Sequence, residues 1–106
     1  MDRKIEKVFY ERVVSIIRTI PSGRIATYGQ IADYAGNPRG AREVAYILHS
    51  SSESENLPWH RVINSKGKIS MKRGRGYELQ KKLLEDEGVA FDEEDQVDLG
   101  RFRWQP

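Results

Sequence analysis

The chain has 106 residues, which is enough for one compact domain, residues 1–106. It contains no cysteine and therefore cannot form a disulfide. Its residues are 38% hydrophobic and 32% charged with a formal net charge of +2, which suits a globular protein, and no apolar run of about 18 residues is present to span a membrane. With only two histidines in the chain, we expect neither a metal site nor any other cofactor.

The first predicted element is an amphipathic helix that Asp2 can cap. Apolar residues recur along it at spacings of three and four, which predicts one buried stripe. The members of this stripe are Ile5, Val8, Phe9, Val13, Ile16, Ile17 and Ile20. The sequence Pro21-Ser22-Gly23 ends the helix.

Two short helices follow, and together they predict a helix-turn-helix. The Thr27 hydroxyl can cap the first of them, and Gln30, three residues later, can reach back to form a capping box. Gly36 supplies a left-handed end, and Asn37-Pro38 predicts the cap and first turn of the next helix. The inward face of that helix would consist of Ala41, Val44, Ala45 and Leu48. A tight turn containing glycine between two short helices is typical of this motif.

A polar loop, residues 50–56, separates these helices from a predicted β-hairpin. Alternating residues at 60–63 and at 68–71 predict its two strands, and residues 64–67 predict the turn between them. The hairpin would be the only sheet of a mainly helical chain.

A basic loop with two glycines, residues 72–76, leads to a last helix at residues 77–87 that Gly88 ends. This helix would bury Leu79, Leu83 and Leu84. After an acidic stretch, we expect Phe102 and Trp104 to fold back onto the body of the protein.

Charge is distributed unevenly over this second half. Residues 58–84 contain eight basic residues and one acid, whereas residues 85–98 contain eight acids and no base. A positive surface attracts phosphate groups and an acidic one repels them. The basic stretch is therefore a candidate surface for nucleic acid, although two solvated surface stretches are equally compatible with charge alone.

The sequence Pro58-Trp59-His60-Arg61-Val62 resembles the Pro-Cys-His-Arg-Val active-site motif of the O6-alkylguanine-DNA alkyltransferases, with Trp59 at the position of the reactive cysteine. Residues 20–32 and 36–44 resemble further segments of the carboxy-terminal domain of these proteins, in the same order, and the match continues to about Gly88. The resemblance implies a winged-helix-like helix-turn-helix DNA-binding domain of the alkyltransferase type, mainly α with a small β-hairpin.

The tryptophan predicts that the protein is not an enzyme. Alkyl transfer requires a thiolate, whereas an indole offers one N–H donor and no ionisable nucleophile. The resemblance implies recognition of O6-alkylguanine in double-stranded DNA through the minor groove, with nucleotide flipping and no alkyl transfer. It also implies a signal to nucleotide excision repair proteins. We expect a monomer without a membrane partner, located in the cytoplasm and, depending on the source, on the nucleoid or in the nucleus.

The resemblance further implies roles for individual residues. Tyr28 would help to turn the target nucleotide outward, and Arg42 would fill the space left in the base stack. The residues expected to bind or flip DNA are Tyr28, Arg39, Ala41 and Arg42. Those expected around the lesion are Trp59, His60, Val62, Met71, Lys72 and Arg73, and those expected to contact phosphates are Thr27, Lys66 and Lys68.

Smaller roles complete this assignment. His60 would form a hydrogen bond instead of activating a nucleophile, and Arg61 would form ion pairs that fix the motif. The carbonyl groups of Trp59 and Val62 would accept hydrogen bonds from the guanine amino group.

Two other functions compete with lesion recognition. A helix-turn-helix transcription regulator without lesion specificity would usually be a dimer, and the sequence predicts no additional dimerisation helix. A hydrolase built on residues 50–52 and His60 would need a nucleophile elbow and an acid to orient the histidine, and the sequence predicts neither.

Overall fold

The computed structural model describes residues 5–106, and the predicted helix cap Asp2 lies outside this part. The helices are α1 (Lys7–Thr19), α2 (Tyr28–Tyr34), α3 (Ala41–Ser51), α4 (Tyr77–Asp86) and α5 (Leu99–Phe102). A 3₁₀ helix covers Trp59–Arg61, and the strands are β1 (Ala26–Thr27) and β2 (Val62–Ile63). The predicted mainly α fold with a small sheet is confirmed. No helix within the described residues is long and apolar enough to cross a membrane.

Helix α1 buries one stripe of apolar side chains, as predicted, but the stripe is shifted. Val13 and Ile17 are fully buried, whereas Val8 is 47% exposed. Val8 and Ile17 are nine residues apart, which is about two and a half turns at 3.6 residues per turn, so they lie on opposite faces. Val14, which the pattern did not include, is buried in place of Val8.

The predicted capping box at the start of α2 is confirmed. The Gln30 backbone N–H donates to Thr27 Oγ1 over 3.0 Å, and the Thr27 N–H donates to Gln30 Oε1 over 3.2 Å. Gly36 follows the helix with φ of +96°, a left-handed conformation that suits glycine. These local signals fix α2 without help from distant residues.

The start of α3 lies later than predicted, because Asn37 makes a turn instead of a helix cap. Its Oδ1 accepts from the Arg39 N–H over 3.2 Å, and its carbonyl accepts from the Gly40 N–H over 2.9 Å. An asparagine side chain that binds the backbone two residues later favours a turn over a helix. Gly40 therefore precedes the helix, and a β-carbon there would lie only 2.7 Å from Phe9 Cζ.

The inward face of α3 also differs from the prediction. Val44 and Leu48 are buried as expected, but Ala45 is exposed and Ala41 is half-buried. The rest of the buried face consists of Ile47 and Ser51. The first residues of the predicted polar loop thus belong to α3, where the Tyr10 hydroxyl donates to Ser51 Oγ over 3.0 Å.

The predicted β-hairpin is wrong, and a parallel pair of strands takes its place. β2 pairs with β1, in the register Ala26 with Val62 and Thr27 with Ile63. Residues 64–67 do form a turn, but residues 68–71 form no strand. The Asn64 side chain accepts hydrogen bonds from the backbone N–H groups of Lys66 and Lys68, so these donors are not available to a hairpin ladder.

Helix α4 follows the predicted span, and Gly88 after it has φ of +91°. Its predicted apolar face is partly wrong, because Leu79 is 54% exposed, Leu83 is half-buried and Leu84 is fully buried. Gln80 is buried because its side-chain amide finds two backbone acceptors, described below.

The small sheet separates two clusters of buried side chains. Ala26 and Val62 face the cluster formed mainly by α1, α2 and α3, whereas Ile25 and Ile63 face a second cluster with α4 and α5. Neighbouring residues of a strand point to opposite faces, so two very short strands can serve both clusters.

The tail folds back onto the sheet, as predicted. The Ile25 N–H donates to the Phe102 carbonyl over 3.0 Å, and the Trp104 N–H donates to the Ile25 carbonyl over 2.7 Å. Gln30 Nε2 donates to the Trp104 carbonyl over 2.6 Å. The tail is thereby bound to the sheet and to the first turn of α2.

Candidate nucleic-acid interface

A cavity of about 580 Å³ opens beside the 3₁₀ helix, between α3 and the start of α2. Its volume lies in the range of sites for small organic groups, roughly 300–1,000 Å³. The apolar lining consists of Ala45, Leu48, Leu57, Trp59, Val62 and Met71. The polar lining consists of Tyr28, His49, Ser52, Glu53, Asn56 and Gln80. A mixed lining of this kind suits a flat group with hydrogen-bonding edges, such as a nucleobase.

Trp59 forms one wall of this cavity. Its side chain is half-buried and packs against the helical cluster, and its ring stands edge-on to His60 with 6.0 Å between ring centroids. The Trp59 backbone N–H donates to the Leu57 carbonyl over 2.8 Å. The indole is thus fixed in position and can contact a base by stacking, although it carries no nucleophile.

The two residues after Trp59 are held by one carboxylate, that of Glu87. Its Oε2 accepts from His60 Nε2 over 2.8 Å and from Arg61 Nη2 over 2.7 Å, and its Oε1 accepts from the Gly23 N–H over 3.0 Å. Arg61 also donates to the Ile20 carbonyl over 2.8 Å. The ion pair expected of Arg61 is therefore present, and it ties the motif to the ends of α1 and α4.

The electrostatics of Glu87 follow from these contacts. Burial alone would raise its pKa, but hydrogen bonds from Arg61, His60 and the Gly23 N–H outweigh burial and lower the pKa to about 2. Sequence analysis did not identify Glu87 as a site residue. Its position before Gly88, within the segment that resembles the family, is the one signal that pointed to it.

Gln80 is a second residue that sequence analysis missed. Its Nε2 donates to the carbonyls of His60 over 3.0 Å and Val62 over 2.9 Å, which fixes the backbone on both sides of Arg61. A carbonyl oxygen has two lone pairs, so the Val62 carbonyl retains one for a base. The pattern that could have identified Gln80 in the sequence is its position at helical spacing between Tyr77 and Leu84.

The residues predicted to bind and flip DNA lie at the start of α3 and beside the cavity. Tyr28, the first residue of α2, lines the cavity, whereas Arg39, Ala41 and Arg42 do not. Arg42 is exposed and makes no ion pair within residues 5–106. It shares one face of α3 with His49, since residues seven apart are about two turns apart. This face leads from Arg42 directly to the cavity.

The predicted lesion residues of the basic loop are divided. Met71 lines the cavity, but Lys72 and Arg73 do not. The Arg73 guanidinium lies 4.5 Å from the centroid of the Tyr77 ring and 3.4 Å from Asp95 Oδ2. Asp95 also accepts from Tyr77 and Lys81, and these hydrogen bonds lower its pKa. The Arg73 guanidinium is therefore bound to Tyr77 and Asp95 instead of lining the cavity.

The predicted phosphate contacts differ in exposure. Thr27 is only 5% exposed, and its hydroxyl oxygen is the cap of α2. Lys66 is exposed on the turn at residues 64–67, and Lys68 is exposed directly after it. This turn is fixed from below, because the Val97 N–H donates to the Gly67 carbonyl over 2.8 Å.

The basic and acidic stretches of the sequence interleave in space. Of the eight cations in residues 58–84, four form ion pairs with acids of residues 85–98. These pairs are Arg61–Glu87, Arg73–Asp95, Lys81–Asp95 and Lys82–Asp86. The cations that form no ion pair within residues 5–106 are Lys66, Lys68, Lys72 and Arg75. Of the cations in residues 58–84, these four remain available to phosphate groups.

The family model for the DNA-binding domain of 6-O-methylguanine DNA methyltransferases matches residues 8–89. The chain belongs to this family. It is 45% identical over 98 residues to the DNA base-flipping protein of Vibrio parahaemolyticus, covering 92% of this chain and 97% of that protein. It is 39% identical over 103 residues to alkyltransferase-like protein 1 of Schizosaccharomyces pombe, covering 92% of this chain and 95% of that protein.

The fold agrees with this membership. A crystal structure of an S. pombe alkyltransferase-like protein in complex with damaged DNA containing O6-carboxymethylguanine matches with a TM-score of 0.83 and 36% identity. The match covers 97% of this chain and 100% of that chain. The family resemblance and the fold type drawn from the sequence are both confirmed, whereas the roles of single residues stay predictions.

Proposed function

We propose that this protein recognises O6-alkylguanine in double-stranded DNA, holds the flipped nucleotide in the cavity beside Trp59, and transfers no alkyl group. The observation that carries the proposal is the position of Trp59. It lines a base-sized cavity at the place where the family motif has cysteine, next to a helix-turn-helix. The names of the relatives, a base-flipping protein and an alkyltransferase-like protein, support the same function.

The start of α3 would enter the minor groove and offset part of the free energy that nucleotide extrusion requires. Turning a base out of the duplex costs a few kcal/mol. The Arg42 guanidinium, which makes no ion pair within the described residues, can stack and form hydrogen bonds in the vacated space and so offset part of this cost. Tyr28 lines the cavity at the start of α2, and its hydroxyl group would act on the phosphate of the moving nucleotide.

The cavity would bind the extruded base without chemistry. Trp59 offers a face for stacking, worth roughly 1–3 kcal/mol per base, and the Val62 carbonyl offers an acceptor for the guanine amino group. His60 and Glu87 retain a hydrogen bond, but the chain has no thiol for them to activate. The lesion is thereby bound and left intact.

A bound lesion that is not repaired requires a second activity to remove it. We infer that the complex signals to nucleotide excision repair proteins and that the protein binds as a monomer. A transcription regulator without lesion specificity would use the same helix-turn-helix, but it gives no role to the cavity beside Trp59.

Two measurements on the wild-type protein test the proposal. A titration should give tighter binding to a duplex with one O6-methylguanine than to the same duplex with guanine. Incubation with DNA that carries a radiolabelled methyl group should leave all label on the DNA. Equal affinity for both duplexes would favour the regulator, and stoichiometric label on the protein would exclude a non-enzymatic role.

A further inference from the structure

The cavity beside Trp59 has an unbalanced charge. Its ionisable lining residues are Tyr28, His49 and Glu53, and neither lysine nor arginine lines it. At about pH 8 an ordinary phenol and an ordinary imidazole are both neutral, whereas a carboxyl group is ionised. The net charge of the lining under these conditions is therefore negative and comes from Glu53.

No cation within the described residues neutralises Glu53. Arg18 is bound to Glu55, with Nη2 3.0 Å from Oε1 and 2.7 Å from the Glu55 carbonyl. Arg73, which does not line the cavity, is held by Tyr77 and Asp95. Glu53 is therefore an acid of the cavity lining that has no ion-pair partner among the described residues.

We propose that Glu53 makes this cavity select uncharged O6 substituents over anionic ones, of which O6-carboxymethyl is the test case. The inference rests on the proposed function and adds the class of lesion that the site prefers. Two carboxylates a few ångströms apart repel each other even in a largely hydrated cavity, and an uncharged substituent of the same shape avoids this repulsion. The fold itself does not exclude the anionic lesion, because the S. pombe relative was crystallised with DNA containing it. Discrimination must therefore come from side chains that line the cavity.

Three duplexes that differ in one substituent test this inference. They carry O6-methylguanine, O6-carboxymethylguanine or O6-carbamoylmethylguanine, the last being the uncharged counterpart of the second. At about pH 8, wild type should bind the carbamoylmethyl duplex about fivefold more tightly than the carboxymethyl duplex, as expected for two charges in a largely hydrated site. The ratio of the two affinities is the readout, because contacts with the phosphate backbone, which the two duplexes share, cancel in it.

Two variants identify the residue responsible. Glu53→Gln should bring the ratio close to one. Glu93→Gln removes an equal charge from an exposed acid that lies outside the cavity and forms no ion pair within residues 5–106, so it should leave the ratio at the wild-type value. Thermal unfolding of both variants shows whether either substitution disturbs the fold.

Each outcome has one meaning. A wild-type ratio near one overturns the selection by charge, and so does a ratio that Glu53→Gln leaves unchanged. A ratio that both variants abolish assigns the effect to the overall charge of the protein and overturns the assignment to Glu53. If no modified duplex binds more tightly than unmodified DNA, the proposed function and this inference both fail. If the modified duplexes bind more tightly but the ratio is near one, only this inference fails.

Discussion

The two sides of the small sheet are stabilised in different ways. On one side lie residues 5–57, the helical half, in which α1, α2 and α3 bury a continuous apolar cluster. On the other side lie residues 64–106, the charged half, in which a smaller apolar cluster is supplemented by ion pairs between its basic and acidic stretches. Arg39 and Arg42 of the helical half make no ion pair within residues 5–106, whereas Arg73 and Lys81 of the charged half are paired.

This difference separates cations that can meet DNA from cations that hold the fold together. The sequence presents the charged half as the basic surface, since its cations are concentrated there. In the folded protein four of the eight cations of residues 58–84 already face a carboxylate. The other four are Lys66 on the turn at residues 64–67, Lys68 directly after it, and Lys72 and Arg75 in the loop at residues 72–76. The density of charge along a sequence is therefore a poor guide to the charge that a partner meets.

The largest effect is expected where the two halves are joined, at Glu87. Glu87→Gln removes the carboxylate that His60, Arg61 and the Gly23 N–H share. Because Arg61 then stays half-buried without its charge partner, we expect a loss of about 3 kcal/mol of unfolding free energy at neutral pH. Urea unfolding followed by circular dichroism measures it, and Glu93→Gln, an exposed acid of the charged half, is the control.

The same substitution has a defined pH dependence. The pKa of Glu87 is lowered from 4.5 to about 2 on folding. A lowered pKa stabilises the folded protein above the unfolded value, and this contribution disappears as pH falls towards the folded value. The difference in stability between wild type and Glu87→Gln should therefore shrink between about pH 4.5 and about pH 2. A constant difference across this interval would contradict the ion-pair assignment.

The next largest effect is expected at Arg42, on the helical half. If Arg42 fills the gap left by an extruded guanine, Arg42→Ala removes the group that offsets the extrusion cost. A fluorescent base analogue beside the lesion brightens when it loses its stacking partner, so it reports extrusion separately from binding. At saturating protein the ratio of extruded to stacked nucleotide, calculated from the brightening, should fall about tenfold, since loss of an offset near 1.4 kcal/mol changes an equilibrium constant by that factor.

Arg39→Ala is the matched control for Arg42→Ala. It removes an exposed cation just before the same helix, so it should weaken binding and leave the brightening at saturation intact. An Arg42→Ala protein that binds, discriminates and brightens like wild type would return Arg42 to the role of a solvated helix arginine.

A smaller effect is expected at the free cations of the charged half. Lys66→Ala and Lys68→Ala should weaken binding to damaged and undamaged DNA alike, because phosphate contacts position a protein without specifying sequence. If the four unpaired cations of residues 58–84 each neutralise one phosphate, log K should fall against log salt with a slope near −3.6, and each substitution should reduce this slope by about 0.9. Lys81→Ala, which removes a cation paired with Asp95, should change the slope much less. Equal changes for Lys66 and Lys81 would abolish the distinction between free and paired cations.

The smallest effect is expected for the outermost ion pair. Lys82 and Asp86 lie one helical turn apart on α4, with side chains 75% and 60% exposed. Lys82→Ala should change the free energy of unfolding by no more than about 0.5 kcal/mol, because exposed pairs of this spacing are weak and screened by salt. A loss above about 1 kcal/mol in urea unfolding would show that exposed pairs hold the charged half more strongly than we infer.

Features that depend on neighbouring residues could be predicted from the sequence. The capping box of Thr27 and Gln30 involves residues three apart, and Gly36 and Gly88 need only their own backbone conformation. The features that could not be predicted depend on distant partners. Val62 and Ile63 read as one strand of a hairpin, but they pair with β1, far away along the chain. Leu79 fits an apolar pattern and is exposed.

The candidate site divides in the same way. Trp59 and the segments of the helix-turn-helix could be recognised as stretches of sequence. Glu87 and Gln80 support that site through hydrogen bonds to residues at least 18 positions away, and such contacts leave no local pattern. The pairing of Arg73 with Asp95 could not be predicted either, because a run of like charges in a sequence does not indicate which opposite charges lie next to it in the fold.

The attachment of the tail has a consequence for the order in which parts of the protein fold during synthesis. Gln30, in the first turn of α2, donates to the carbonyl of Trp104, which lies 74 residues further along the chain. Closing so long a loop requires both ends to be present, and contacts of this kind form late in folding. A nascent chain on the ribosome can therefore form the local capping box of α2 early, whereas the hydrogen bond from Gln30 to the tail forms only after residue 104 has emerged. Until then the backbone N–H and carbonyl groups of Ile25 also lack their tail partners, Phe102 and Trp104, so the edge of the small sheet is completed last.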